Sequence, residues 1–142
     1  MLKLRTAQKI IKIALDLARE KGMKPLAIAV LDARGALVAF AAEDGSSLKR
    51  EKVARGKADG VIALGVSSRA IAKMAADRPH FVSAVTHVVG GSLIPVPGGV
   101  LIRDAKGQVF GAVGVSGDTS DNDEMVAVAG IEAAGLKAET GA

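Results

Sequence analysis

The sequence contains no cysteine, no tryptophan and no tyrosine, and phenylalanine occurs only three times in 142 residues. Without cysteine the chain forms no disulfide, no thiolate metal site and no cysteine nucleophile, and its composition fits a reducing compartment. Proteins that bind single-stranded nucleic acid stack bases on aromatic rings, so the shortage of aromatic residues argues against such a partner. Thiol chemistry is therefore excluded and nucleic-acid binding is disfavoured.

Long apolar runs and blocks of like charge are also missing. The 19 basic and 15 acidic residues leave a formal charge of +4, but the basic residues are scattered along the chain. No apolar run approaches the roughly 18 residues of a membrane-spanning helix, and the start MLKLRTAQKII lacks the pattern of a secretory signal. We therefore expect one soluble, cytoplasmic domain over residues 1–142, with no nucleic-acid or membrane partner.

Two stretches of the chain share one turn pattern. LAIAVLDARGALVAFAA and VLIRDAKGQVFGAVGV each place two apolar runs around an aspartate, an alanine, a basic residue and a glycine, at positions 32–35 and 104–107. Apolar runs rich in Val, Ile and Leu that flank such turn residues predict β-hairpins. The sequence therefore predicts two hairpins and an antiparallel sheet.

Helical periodicity accounts for much of the remaining chain. Thr6 is a candidate N-cap for a first helix that ends near position 21, since apolar residues recur there at helical spacing. Ser46 or Ser47 could cap a second helix through LKREKVARGKADGVIALG, and Ser67 or Ser68 a third through RAIAKMAAD. The middle of the chain is therefore predicted to be helical.

Two further segments complete the predicted order of elements. PHFVSAVTHVV permits either a short helix or a strand, and the tail from about residue 122 to residue 137 reads as an apolar helix. The resulting order is α-ββ-αα-(β)ββ-α. It predicts an α+β fold, with an antiparallel sheet of about five strands flanked by helices.

The stretch GVSGDTSDNDEM, from Gly114 to Met125, joins the last predicted strand to the last helix. Acids and small hydroxyls in a first helical turn offset exposed backbone N–H groups and the positive end of the helix dipole. Gly114 and Gly117 bracket Ser116 and permit a close backbone approach. The approaching group is either a neighbouring chain segment or a ligand.

The chain resembles the GlcG/HbpS family, which includes haem-binding and glycolate-utilisation proteins and the C-terminal domain of some propanediol-utilisation proteins. The resemblance spans nearly the whole chain. It implies an antiparallel sheet flanked by helices, assembly into homo-oligomers, with octamers in some members, and haem or iron binding in characterised members. The matching pieces, in order, are IAVLDARGALVAF, Asp44-Gly45, Lys57-Ala58, PVPGGVLI and GAVGVSGDTSDNDEMVAVAG.

The second helix departs from the family pattern. Haem-binding members can carry acidic residues there, whereas the charged residues at the start of this helix are mainly basic. The resemblance therefore does not extend to an iron site built from paired carboxylates on this helix. The residues concerned are Lys49, Arg50, Glu51, Lys52 and Arg55.

The two histidines, His80 and His87, are candidate ligands. On one straight helix, seven residues at about 1.5 Å each separate them by about 10 Å, too far to chelate one ion. His87 lies four residues before Gly91 and near the PVPGG loop, which makes it the better candidate for a metal ligand or a general base. A surface or core histidine is the alternative at either position.

Lys57 follows a glycine, but Glu51 and Ala58 stand where a phosphate-binding loop needs a glycine and a hydroxyl, so that motif is excluded. Because Lys57 matches a family position, it could face a propionate or a carboxylate; a solvated lysine is the alternative. Backbone amides in the turn at Gly98 and Gly99 can also hold an anion.

Three functional hypotheses follow. The first, on resemblance alone, is a haem-binding or iron-binding homo-oligomer with its ligand at a subunit boundary. The second is an enzyme acting on a small organic acid, with His87, Lys57 or Asp123 moving a proton, and the third is a non-catalytic oligomeric partner domain. The predicted ligand-binding residues are Asp44, Lys57, His87, Gly98, Gly99, Ser116 and Gly117, with His87 as the metal ligand.

Overall fold

The structure, a computed structural model, describes residues 1–141. Helices and strands both occur in the first and second halves of the chain. The helices are α1 (Leu4–Glu20), α2 (Arg50–Leu64), α3 (Ser68–Asp77), α4 (Pro79–Val88) and α5 (Ser120–Ala133), and the strands are β1 (Ala27–Asp32), β2 (Leu37–Ala42), β3 (Gly99–Arg103), β4 (Val109–Ser116) and β5 (Lys137–Glu139).

The five strands form one sheet in the order β2-β1-β4-β3-β5. Every neighbouring pair is antiparallel. The predicted α+β class, the antiparallel sheet of about five strands and the flanking helices are therefore confirmed. The centre of the sheet pairs β1 with β4, so the two hairpins lie side by side.

The two predicted hairpins form, and their turns share one hydrogen-bonding pattern. The turn glycines Gly35 and Gly107 have positive φ angles of 85° and 78°. Their N–H groups donate to the carbonyls of Asp32 and Asp104. Each of these aspartate carboxylates also accepts two backbone N–H groups from the residues that follow it. Turn chemistry alone thus accounts for the likeness of the two stretches.

Helix positions differ from the predictions at several points. The ambiguous segment PHFVSAVTHVV is helix α4, with Pro79 at its start, where a missing N–H is tolerated. The predicted cap at Thr6 is wrong, because α1 begins at Leu4 with Lys3 at the N-cap. The serines predicted to cap α2 also lie outside the cap, which is Lys49. Neither helix has a side-chain cap.

The tail was predicted to be helical to about residue 137, but α5 ends at Ala133 and the unpredicted strand β5 follows it. Ser67 occupies the N-cap position of α3 but makes no capping hydrogen bond. Its hydroxyl instead accepts the N–H of Leu101 at 3.0 Å and donates to the carbonyl of Glu139. Arg103 also contacts the Glu139 carboxylate at 3.0 Å. Ser67 and Arg103 therefore tie β5 to β3.

The sheet separates two helical layers. α1 and α5 cover one face of the sheet and α2 covers the other. No helix within residues 1–141 combines the length and the apolar character needed to cross a bilayer. The strand residues packed in the α1 and α5 layer are Ile28, Val30, Val100, Ile102, Val113 and Val115, and those packed in the α2 layer are Leu31, Leu101 and Ala112.

Helix α2 lies unusually close to the sheet because two strand glycines face it. A Cβ atom at Gly114 would lie 2.0 Å from the carbonyl oxygen of Ala54, and one at Gly99 would lie 2.6 Å from that of Lys57. Real Cβ atoms do not approach backbone so closely. The segment that approaches Gly114 is therefore α2 of the same chain.

We expect Gly114→Ala to lower the free energy of unfolding by about 3 kcal/mol or more, the upper end of typical overpacking costs. The control is Gly65→Ala, because Gly65 has a φ of 71° but no atom within 4 Å of an added Cβ. Its cost should be about 1–2 kcal/mol, the strain of a side chain in the left-handed region. Urea denaturation of both variants measures the difference, and equal losses would contradict the close contact with α2.

Candidate functional site

Lys57 and Asp123 meet at the end of β4. The Nζ atom of Lys57 donates to the carbonyl of Val115 at 2.9 Å and to the Asp123 carboxylate at 3.3 Å. Their side chains are 3% and 2% exposed. Because Lys57 belongs to α2 and Asp123 to α5, this ion pair joins the two helical layers beyond the end of the central strand β4.

Burial shifts the pKa values of both Lys57 and Asp123. Removal from water lowers the pKa of Lys57, while the Asp123 carboxylate opposes this shift. Removal from water raises the pKa of Asp123, while Lys57 and the N–H of Asp118 oppose it. Each charge is therefore stable in the interior only because the other is present.

The acids that precede α5 organise its first turn. Thr119 is the N-cap, and its hydroxyl accepts the N–H of Asn122 at 3.2 Å. Asp118 accepts the backbone N–H of Lys24, the side-chain amide of Asn122 and the N–H of Thr119. These hydrogen bonds lower the pKa of Asp118 to about 2. The capping role predicted for this stretch is confirmed for Asp118 and Thr119.

Ser116 and the glycines predicted to bind a ligand lie around the ion pair. Ser116 is buried and accepts a hydrogen bond from Arg50 at 3.0 Å. A Cβ at Gly98 would lie 2.7 Å from Lys57 Nζ, and one at Gly117 would lie 2.2 Å from the carbonyl oxygen of Pro25. The close approaches at these glycines are thus to other parts of the same chain. Their role in ligand binding stays a prediction.

His87 and Asp44 lie outside this cluster. His87 is exposed in the last turn of α4, and Asp44 is exposed after β2, where it lines a shallow cavity of about 430 Å³ with Arg19 and Glu43. Within residues 1–141 no group of three or more His, Asp or Glu side chains is arranged to hold a metal ion. The structure therefore brings together Lys57, Asp123, Ser116, Gly98, Gly99 and Gly117, but neither Asp44 nor His87.

A second candidate site is a cavity of about 420 Å³ between the start of α2 and the segment 91–94. This segment rests directly on α2, since a Cβ at Gly56 would lie 2.9 Å from Ile94 Cγ1. The N–H of Gly91 donates to the carbonyl of Thr86 at 2.7 Å, so the turn of α4 that carries His87 leads into the cavity wall. The lining residues are Lys49, Glu51, Lys52, Val53, Arg55, Gly56, Gly91, Ser92 and Ile94.

Large apolar side chains are exposed beside the polar candidates of this second site. Leu48, next to Lys49, is 86% exposed, and Val88, next to His87, is 82% exposed. Single exposed apolar residues are common on protein surfaces, and these two are each next in sequence to a polar candidate.

The family of the chain follows from a sequence comparison. The family model for haem-degrading, HbpS-like proteins matches residues 2–132. The chain belongs to the HbpS-like family. None of the curated proteins matches this HbpS-like chain.

Solved structures have the same fold as the HbpS-like chain. A crystal structure of a PduOC:haem complex is 18% identical with a TM-score of 0.86, over 98% of this chain and 99% of that one. HbpS is 26% identical with a TM-score of 0.79, over 93% and 89% of the two chains. Klebsiella pneumoniae protein ORFY is 23% identical with a TM-score of 0.83, over 94% and 90%. The first of these was crystallised with haem, as its name states.

Several contacts of the candidate sites were missed by the sequence analysis. Arg50 lies seven residues before Lys57. This spacing places both side chains on one face of α2, so it could have predicted that both lie near the end of β4. Arg69 joins α3 to α5 through Glu124 at 3.0 Å, and no local pattern indicates this contact across 55 residues. The spacing of Lys49, Lys52 and Arg55 at intervals of three was also a usable signal for one shared surface.

The ion pair can be tested by a double-mutant cycle. Lys57→Met and Asp123→Leu should each lower the free energy of unfolding by about 3–5 kcal/mol, since each leaves an unpaired buried charge. The double variant should recover much of this loss. The exposed pair of Lys12 and Asp16 serves as control, where Lys12→Ala should cost about 0.5 kcal/mol or less. Strict additivity of the two single losses at the buried pair would contradict its coupling.

The hydrogen bonds that the Asp118 carboxylate accepts predict that the stability of the protein depends on pH. Its pKa of about 2 lies below the usual 3.8, so its ionised form contributes stability that is present above about pH 4 and is lost as the pH falls towards about 2. Asp118→Asn should therefore unfold more readily at about pH 7 and lose less stability on acidification than wild type. Asp77→Asn, at the exposed end of α3, is the control. An acid-induced loss in Asp118→Asn that equals that of wild type would refute the contribution.

Proposed function

We propose that this protein binds haem or a related tetrapyrrole at the cavity between α2 and the segment 91–94. The observation that carries the proposal is the joint placement there of cations and apolar surface, with His87 on the helix turn that precedes the lining residue Gly91. Lys49 and Lys52 suit propionates, Val53 and Ile94 suit an apolar ring, and His87 is an exposed nitrogen ligand on the helix that leads into the cavity. Membership of the HbpS-like family supports the same ligand.

The residues present thus fit haem in chemical type. Bound haem would supply an iron centre capable of ligand exchange and electron transfer. The chain would supply ammonium groups for the propionates, an apolar wall for the ring and one imidazole for the iron. The second predicted use of His87, as a general base, requires a substrate proton within hydrogen-bonding reach, and it has less support than the role of ligand.

A second subunit would complete the site. The cavity is open to solvent, whereas sites for small ligands usually bury most of the ligand. The exposed Leu48, next to Lys49 in sequence, and the exposed Val88, next to His87, would be covered by the ligand or by the partner subunit. This arrangement supports the predicted ligand site at a boundary within a homo-oligomer.

The alternative of proton transfer on a small organic acid has weaker support. Its candidates Lys57 and Asp123 are buried, and each already contacts the other. A substrate would have to displace the contact of Lys57 with Val115 to reach them. The same contacts give Lys57 and Asp123 a role in joining the two helical layers.

A haemin titration followed by absorbance tests the proposal. Wild type should give a saturable, shifted Soret band, and His87→Ala should bind at least about tenfold more weakly or with an altered band, because an iron ligand is lost. His80→Ala is a matched control, since His80 is an exposed histidine on the same helix. Size-exclusion chromatography of the same samples reports the oligomeric state.

Two results would count against the proposal. The broad spectrum of free haemin with wild type would overturn haem binding. A band that is unchanged in His87→Ala would retain haem and remove His87 as its ligand.

A further inference from the structure

The cavity between α2 and the segment 91–94 has an unbalanced charge. Three cationic side chains, Lys49, Lys52 and Arg55, line it together with a single acid, Glu51. Ion pairs inside the chain account for only part of this excess. Arg55 is 3.2 Å from Asp59, one turn further along α2.

The two lysines have no partner of their own. Among the hydrogen bonds and ion pairs of residues 1–141, none involves the ammonium group of Lys49 or Lys52, and both residues are exposed. The neighbouring Arg50 points elsewhere, since it donates to Ser116. Two ammonium groups at the cavity are therefore available for an external anion.

Spacing and surroundings restrict the kind of anion. Residues three apart at the start of a helix lie on one side of it, about 5–6 Å apart at Cβ, so Lys49 and Lys52 can each contact a separate acidic group of one ligand. The same cavity presents Val53, Gly56 and Ile94. A small, fully hydrated anion would leave that apolar part uncovered, whereas an apolar molecule that carries two carboxylates would cover both parts.

We infer that Lys49 and Lys52 form a clamp for two carboxylates on an otherwise apolar ligand, and that Glu51 weakens this clamp. The inference rests on the proposed function, since it names the ligand groups, the propionates, that select the tetrapyrrole at that site. The ammonium groups contact the carboxylates directly, and Arg55 adds positive charge that Asp59 partly neutralises.

Ligands that differ only in their carboxylates test the clamp. Wild type and Lys49→Gln/Lys52→Gln are titrated with haemin, with haemin dimethyl ester and with metal-free protoporphyrin IX. The double variant should bind haemin and protoporphyrin IX about tenfold more weakly, as expected for loss of two solvent-exposed charge contacts. The dimethyl ester should bind wild type weakly and should lose nothing further in the variant.

Two control variants separate the clamp from general charge. Lys9→Gln/Lys106→Gln removes the same charge from exposed positions outside the cavity and should leave haemin binding unchanged. Glu51→Gln should strengthen haemin binding by about twofold or more, because it removes the only acid of the lining. Circular dichroism of each variant verifies that the fold is retained.

The outcomes distinguish the two proposals. If haemin binds wild type and Lys49→Gln/Lys52→Gln equally, or if wild type binds the ester as tightly as haemin, the clamp is overturned and haem binding stands. If haemin fails to bind wild type, the proposed function fails and the clamp fails with it. Weaker haemin binding in the control variant Lys9→Gln/Lys106→Gln to the same extent would also overturn the clamp, because net charge alone would explain the effect.

Discussion

The contact between Lys57 and Asp123 is the constraint on which the arrangement of the layers depends. α2 and α5 cover opposite faces of the sheet, and their charged side chains meet at the end of β4. Gly98 leaves the space that the lysine needs, and Gly99 lets α2 lie against β3. Two unpaired buried charges would be costly, so the sequence must keep both partners and the glycines beside them.

Local chemistry determined how far the fold could be predicted. The hairpins were predictable because Asp32 and Asp104 form their turns with neighbours a few residues away. β5 was not, since Ser67 holds it from 72 residues away. The site behaved likewise. Lys57 was selected by family pattern and Asp123 as a group that could move a proton, but their pairing spans 66 residues and no periodicity indicates it. Lys49 and Lys52 were recognised only as a departure from the family.

Two polar regions with different physical character coexist in this molecule. The cluster around Lys57 is buried and its polar atoms are satisfied within the chain, which suits stability. The cavity at the start of α2 is exposed, has an excess of positive charge and includes the apolar side chains of Val53 and Ile94, which suits recognition. Family resemblance pointed to Lys57 in the first region, whereas the unpaired charged groups that are open to a ligand lie mainly in the second region.

The attachment of β5 has a practical consequence for anyone who modifies this chain. The three-residue strand covers one edge of β3 and fills the hydrogen-bonding capacity of Ser67. A version shortened before Lys137 would expose an unprotected strand edge, the kind of surface through which sheets of separate molecules join and precipitate. Shortened versions of the chain therefore need to retain Lys137–Glu139 to keep this edge covered.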